Sequence, residues 1–174
     1  MSDIDARIGA RIRALRGAAT LDAIAARSGV SRAMLSRIER GESSATAQLL
    51  NRLAGGLGVT LSELVATPAP GPLRRRAEQP EWRDPATGYT RRAVSADITE
   101  VTLPAGAEVR FENDRVAAAG QQVWVLSGIL ALELGEARWR LHAGDCLAMG
   151  FGAPVRFHNP TGRAVRYAVI LERR

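Results

Sequence analysis

Apolar residues recur at helical spacing through the first 66 positions and at every second position after position 72. Ile8, Ile12 and Leu15 form one stripe, from which Arg7, Arg11, Arg13 and Arg16 stay largely apart. Ile24 and Ala25 continue the pattern in a second helix, Leu35 and Ile38 in a third with Val30 beside them, and Leu50, Leu53, Ala54 and Leu57 in a fourth. Residues 61–65 predict a short fifth helix. The punctuation agrees with this division. Thr20 and Ser31 each precede a helical run, where a hydroxyl can accept from free N–H groups. Gly29 can take the positive φ that reverses the chain after the second helix. Ser44 is expected to cap the fourth helix and Gly58 to end it, while Gly55 and Gly56 weaken its last turn by about 1 kcal/mol each relative to alanine.

Residues 67–72, TPAPGP, cannot hold a helix and read as a linker between a domain at 1–66 and another at 73–174. In the second domain Leu130, Leu132 and Leu134 alternate with Ile129, Ala131 and Glu133. Val123 and Val125 alternate with Trp124 and Leu126, and Val165, Tyr167, Val169 and Leu171 with Arg166, Ala168 and Ile170. Turn formers separate the runs, among them Ser127-Gly128, Gly135-Glu136 and Asn159-Pro160-Thr161-Gly162. Many short strands at this spacing predict a β-sandwich or a small barrel, and periodicity leaves both open.

The stretch TLDAIAARSGVSRAMLSRIERG (20–41) has two short helices around a glycine turn, with small Ala25 permitting a close helix crossing and Leu35 holding the second helix down. It resembles the helix-turn-helix of the lambda-repressor-like, or xenobiotic-response-element (XRE), family of bacterial regulators. The resemblance implies that Arg32, Ala33, Ser36 and Arg37 occupy base-reading positions on a recognition helix opened by Ser31. An arginine there most often pairs with guanine, and Ala33 suits a thymine methyl. Thr20, Arg40, Ser43 and Ser44 are expected at phosphates. Leu21 stands where many relatives carry a phosphate-binding glutamine. Glu39 is expected to be a local partner for an arginine rather than a base contact.

Three segments of the second domain, VWVLSG (123–128), LHAGD (141–145) and APVRFHNP (153–160), resemble the cupin family. The resemblance covers roughly 95–174, and 73–95 looks like extra strands ahead of the barrel. It implies an α plus β two-domain chain: a five-helix lambda-repressor-like bundle followed by an all-β cupin double-stranded barrel. Helix-turn-helix with C-terminal cupin is itself a known architecture of transcription factors. Metal-binding cupins need two histidines, a glutamate and a later histidine. Family spacing puts Gln121 at the glutamate position and Val155 at the last histidine position. The histidine pair falls on Arg115 and Ala117, or on Asp114 and Val116, so neither reading restores a metal site. His142 is expected in a turn and His158 on the sheet side opposite Val155. The barrel interior remains a candidate pocket for a small effector with one anionic or polar group, lined by Gln121, Val123, Val155 and Phe157 with Arg115 near the mouth. Equally, Val123, Val125 and Phe157 could simply fill the core.

Composition narrows this picture slightly. Net charge is +6, and all 24 basic residues are arginine, whose planar donor fork suits phosphate and guanine edges, although coding bias also explains the missing lysine. Positions 1–66 hold nine arginines and six acids, and 67–174 fifteen and twelve, so any basic footprint must be local. Cys146, the single cysteine, excludes an internal disulfide, fits a reducing cytoplasm and reads as a small buried apolar residue. No apolar run approaches the ~18 residues of a membrane span, and the N-terminus lacks a secretory pattern. No partnered nucleophile or other catalytic set is visible. The expectation is therefore a cytoplasmic, homodimeric, operator-binding regulator that senses a small effector without metal, cofactor or membrane. The alternatives are a metal-free cupin enzyme tethered to DNA and a constitutive DNA-binding dimer with a purely structural cupin.

Overall fold

The computed structural model describes residues 3–66, 72–113 and 120–172. Five helices come first: α1 (Asp3–Arg16), α2 (Leu21–Ser28), α3 (Arg32–Glu39), α4 (Ala47–Leu57) and α5 (Leu61–Val65). Each start from α2 onward is capped by a hydroxyl, with Thr20, Ser31, Thr46 and Thr60 accepting from the third residue beyond. The fourth cap corrects the sequence reading. Thr46 caps α4, because Ser44 instead donates to the Asp5 carboxylate at 2.8 Å and is drawn toward α1. Gly29 and Gly58 close α2 and α4 with φ of 62° and 75°. Ile8, Ile12, Ile24, Leu35, Ile38, Leu50 and Leu53 make the core of the bundle.

After a short 3-10 turn at Arg76–Glu78 come ten strands: β1 (Glu81–Arg83), β2 (Thr90–Ala93), β3 (Ile98–Leu103), β4 (Glu108–Phe111), β5 (Gly120–Ser127), β6 (Ile129–Leu134), β7 (Ala137–His142), β8 (Cys146–Met149), β9 (Val155–His158) and β10 (Val165–Glu172). They form two antiparallel sheets, ordered β1-β2-β3-β10-β5-β8 and β4-β9-β6-β7. The eight strands from β3 onward have the interleaved order of a jelly roll, the double-sheet architecture of cupins. β1 and β2 extend one sheet. Of the expected linker, residues 67–71 lie outside the described residues.

Alternation fixes which side chains fill the roll. Val123, Val125, Leu130, Leu132, Val155, Phe157, Val165 and Tyr167 point inward and are buried. An aromatic series runs through the interior, Trp82 to Tyr89 to Phe111 to Phe157 to Tyr167, with successive ring centroids 6.5, 6.3, 6.1 and 5.6 Å apart. Cys146 corrects another expectation, since it is exposed. Register pairs Leu147 with Val123 and Cys146 with Trp124, so the inward slot goes to leucine and cysteine shares the outer face with a tryptophan that is 44% exposed.

The helical bundle rests on the β unit through two polar ties. Asp84, 2% exposed, accepts from the backbone N–H of Ala47 at the start of α4 at 3.1 Å and from the Thr87 hydroxyl at 2.5 Å. Arg91 on β2 donates to the Ser62 hydroxyl on α5.

On the second sheet Glu108 accepts from Arg110 at 2.6 Å and from Arg156, which also reaches Glu133 at 2.8 Å. Hydrogen bonding from Arg156, then from Arg110, lowers the Glu108 carboxyl from 4.5 to about 2. A carboxyl depressed by folding stabilises the native state above its unfolded pKa, and that contribution is lost as pH falls toward the folded value. Between pH 4.5 and about 2 the protein is expected to lose stability more steeply than a Glu108→Gln variant, as read by urea unfolding across a pH series. Parallel curves would remove Glu108 from the acid response.

Candidate functional site

α3 presents two distinct faces. Leu35 and Ile38 point into the bundle at 0% and 2% exposure, while Ser31, Arg32, Ala33 and Arg37 are exposed and Ser36 is half-buried. What fixes this helix is its far end. Glu39, buried, accepts from Arg16 of α1 at 2.7 and 3.2 Å, and Arg13 donates to the Glu39 carbonyl at 3.2 Å. The arginine partner expected for Glu39 is thus found, but on another helix rather than nearby. Hydrogen bonding to Glu39 raises the Arg16 pKa further.

The expected phosphate-side residues divide by how committed they are. Thr20 is exposed at the start of α2, with its oxygen accepting from Ala23 at 3.1 Å. Arg40 binds both Glu42 oxygens, at 2.6 and 2.7 Å. The Ser43 hydroxyl lies 3.9 Å from the Met34 sulfur, and Ser44 is held by Asp5. Arg32 approaches Asp22 at 3.6 Å, with both side chains mostly exposed. Such a pair is worth little and readily gives way to another anion.

A second site lies where the bundle meets the roll. A small cavity of about 50 Å³, open to solvent on one side, is lined from the helices by Asn51, Thr60 and Ser62. The β unit contributes Arg91, Phe111, Asn113, Gln121, Val155, Phe157 and Tyr167. Of the pocket residues expected from sequence, Gln121, Val155 and Phe157 are brought together here. Val123 is a correction: at 0% exposure it packs in the core and takes no part in this lining. Arg115 lies outside the described residues.

Sequence reasoning missed the helical wall and Arg91. Tyr89, Arg91 and Ala93 alternate inward on and beside β2, with Arg91 5% exposed. A charge in phase with two apolar positions was the available signal, hidden by the adjacent Arg92. Arg91 donates to the Tyr89 hydroxyl at 2.6 Å and to Ser62, and its Nε has no acceptor. The buried Tyr167 hydroxyl also lacks a hydrogen-bond partner of normal geometry, and burial raises its pKa well above the ordinary phenol value.

The residues at the cupin metal positions do not suit an ion. Gln121 donates its amide to Asn113 at 3.1 Å, Val155 has no donor atom, and positions 114–117 lie outside the described residues. Among the described residues no three His, Cys, Asp or Glu side chains converge. His142 is the last residue of β7, just before the turn rather than in it, and His158 alternates away from Val155 and Phe157 as expected.

A family model described as Helix-turn-helix (HTH_3) matches residues 12–64. An HTH_3 family transcriptional regulator from Vibrio cholerae is similar along the whole chain, with 25% identity, 98% of each chain covered and a TM-score of 0.74. Hydroxypropylphosphonic acid epoxidase from S. wedmorenis is 16% identical over 98% of this chain and 100% of its own, with a TM-score of 0.46. The Cupin_2 domain of an XRE family transcriptional regulator from Enterobacter cloacae is 19% identical over 45% of this chain and 81% of its own, at 0.41. The last two likenesses carry no weight for function. No curated protein matches the chain. Among the described residues no helix is long and apolar enough to cross a membrane.

Proposed function

We propose, from a chain whose residues 12–64 form a helix-turn-helix domain of the HTH_3 family, that this protein is a sequence-specific DNA-binding transcriptional regulator of the cytoplasm. Its jelly roll dimerises and receives a small effector without metal. The observation that carries the reading is the exposed face of α3, where Arg32, Ala33 and Arg37 stand clear of a helix anchored by Leu35, Ile38 and Glu39. A helix held this way enters the major groove with its first turn on base edges. Ser36 shares that base-reading face behind Ser31, which opens the helix, while Thr20, Arg40, Ser43 and Ser44 flank it at positions suited to phosphate.

Dimerisation is supported by the outer face of the six-stranded sheet. The half made by β10, β5 and β8 carries Ala168, Trp124 and Cys146 in one cross-strand row and Ile170, Gln122 and Ala148 in the next, so it is apolar apart from one amide. The half made by β2 and β3 is charged, with Glu100 accepting from Arg166 at 3.1 Å and facing Arg76 at 3.6 Å. Reading two half-sites on one side of a duplex requires recognition helices about 34 Å apart, and a two-fold pairing on the apolar half is the arrangement proposed to supply it. The donor set at Gln121 and Val155 favours an effector site over a metal-dependent enzyme.

Selection from random oligonucleotides is expected to yield a near-palindromic site. Arg32→Ala should then relax preference at one base position by about 1–3 kcal/mol, while Thr20→Ala weakens all sequences alike. Unchanged affinity and preference in both variants, in a binding titration at fixed salt, would refute this docking.

A further inference from the structure

We infer that Arg91 is the anion receptor of the cavity between the bundle and the jelly roll, and that the cavity takes a small organic carboxylate. This deepens the effector-binding part of the proposed function and rests on it. A guanidinium stays charged under all ordinary conditions, and buried charges in native proteins are paired. Half-buried Arg11 also has a buried Nε without a partner, but three other part-buried arginines obey that rule. Arg16, Arg92 and Arg156, at 19%, 17% and 28% side-chain exposure, each meet a carboxylate. Arg91 is more buried than any of them and meets none among the described residues, having only the hydroxyls of Tyr89 and Ser62. Its Nε–H has no acceptor.

The second donor belongs to the same cluster, since the Tyr89 hydroxyl that accepts from Arg91 also neighbours Tyr167. Tyr167 lines the same cavity, and its hydroxyl is buried without a hydrogen-bond partner of normal geometry. Its ring is fixed by stacking on Phe157, with planes 5° apart. The Arg91 Nε–H, which has no acceptor, and the Tyr167 phenol, which borders the Tyr89 hydroxyl, supply the two hydrogen bonds that a planar two-oxygen head accepts. Phe111, Phe157 and Val155 offer an apolar wall for a short carbon body. Arg91 is the one charged side chain among the described lining residues, and a monoanion balances it. Both donor atoms are covered in this structure, so the ligand gains them as the Ser62 hydroxyl yields its place on the guanidinium. Occupancy of the cavity and the seating of α5 therefore compete for one side chain.

Calorimetric titration of the full chain tests this with propionate, benzoate and phenylacetate, each against its own amide, and with inorganic phosphate. At least one carboxylate is expected to bind where its amide and phosphate do not. Arg91→Met should weaken that binding about tenfold or more, and Tyr167→Phe, which keeps the stacked ring, several-fold. Absence of binding by all three carboxylates up to about 10 mM, equal binding of an amide, preference for phosphate, or full binding by a folded Arg91→Met protein each overturns the assignment. Should Arg91→Met fail to fold, undiminished binding by Tyr167→Phe overturns it equally. Oligonucleotide selection on the same preparation separates the two levels: a selected operator without carboxylate binding removes this site and leaves the regulator.

Discussion

Gly9→Ala is expected to destabilise the helical bundle by about 2 kcal/mol and to abolish selective DNA binding. Gly9 lies on α1 where it crosses the end of α3. A Cβ added there would sit 2.9 Å from the Glu39 carbonyl oxygen and closer still to that of Ile38. Both obstacles are backbone, so no rotamer change relieves them. Overpacking of this kind costs about 1–3 kcal/mol and sometimes more, which outweighs the ~1 kcal/mol that alanine gains over glycine in helix propensity. The displacement would fall on the segment that Arg16 and Glu39 clamp, so the recognition helix would tilt even if the bundle survived. Urea unfolding reads the stability loss and an operator titration the binding loss. Gly162→Ala, whose Cβ would meet nothing within 4 Å, serves as the control and should change neither. A Gly9→Ala protein as stable as its parent would mean that α1 and α3 do not approach this closely.

Trp82→Ala should cost the β unit about 3–5 kcal/mol, the range for truncating a fully buried aromatic. Trp82 is 1% exposed on β1 and meets Tyr89 edge to face. Trp82→Phe should lose much less, because the indole N–H makes no hydrogen bond that phenylalanine would forfeit. Thermal unfolding of the two variants checks the contrast. Tolerance of Trp82→Ala to within about 1 kcal/mol would make β1 and β2 an appendage, not part of the core.

How far the chain could be read in advance depended on the range of the interactions involved. Helix ends were legible because a cap and its helix are neighbours, as at the starts marked by Thr20 and Ser31 and the stop at Gly29. The one misplaced cap shows the limit. Ser44 and Thr46 are equivalent locally, and a carboxylate 39 residues away decides between them. Alternation revealed the strands of the second domain, but a jelly roll differs from other sandwiches only in which distant strands pair. The same holds for single residues. Cys146 looked like core until register gave Leu147 the inward slot. Arg91 is in phase with Tyr89 and Ala93, but the adjacent Arg92 masks that local signal, and its partner on α5 is distant in sequence. Gln121, Val155 and Phe157 came from the cupin resemblance joined to alternation, and the same alternation also offered Val123, which proved to be core.

The ties at Asp84 and Arg91 have a bearing on DNA geometry. Asp84 grips the first turn of α4 and Arg91 grips α5, so each reading head is fastened to its own barrel at two points. A pair of such chains behaves as a caliper with a locked jaw, unlike heads on loose tethers that can follow a variable gap. One extra base pair between half-sites turns the far site by about 34° around the duplex axis. Neither jaw can swing to recover it, so spacing becomes as much a part of the message as the letters.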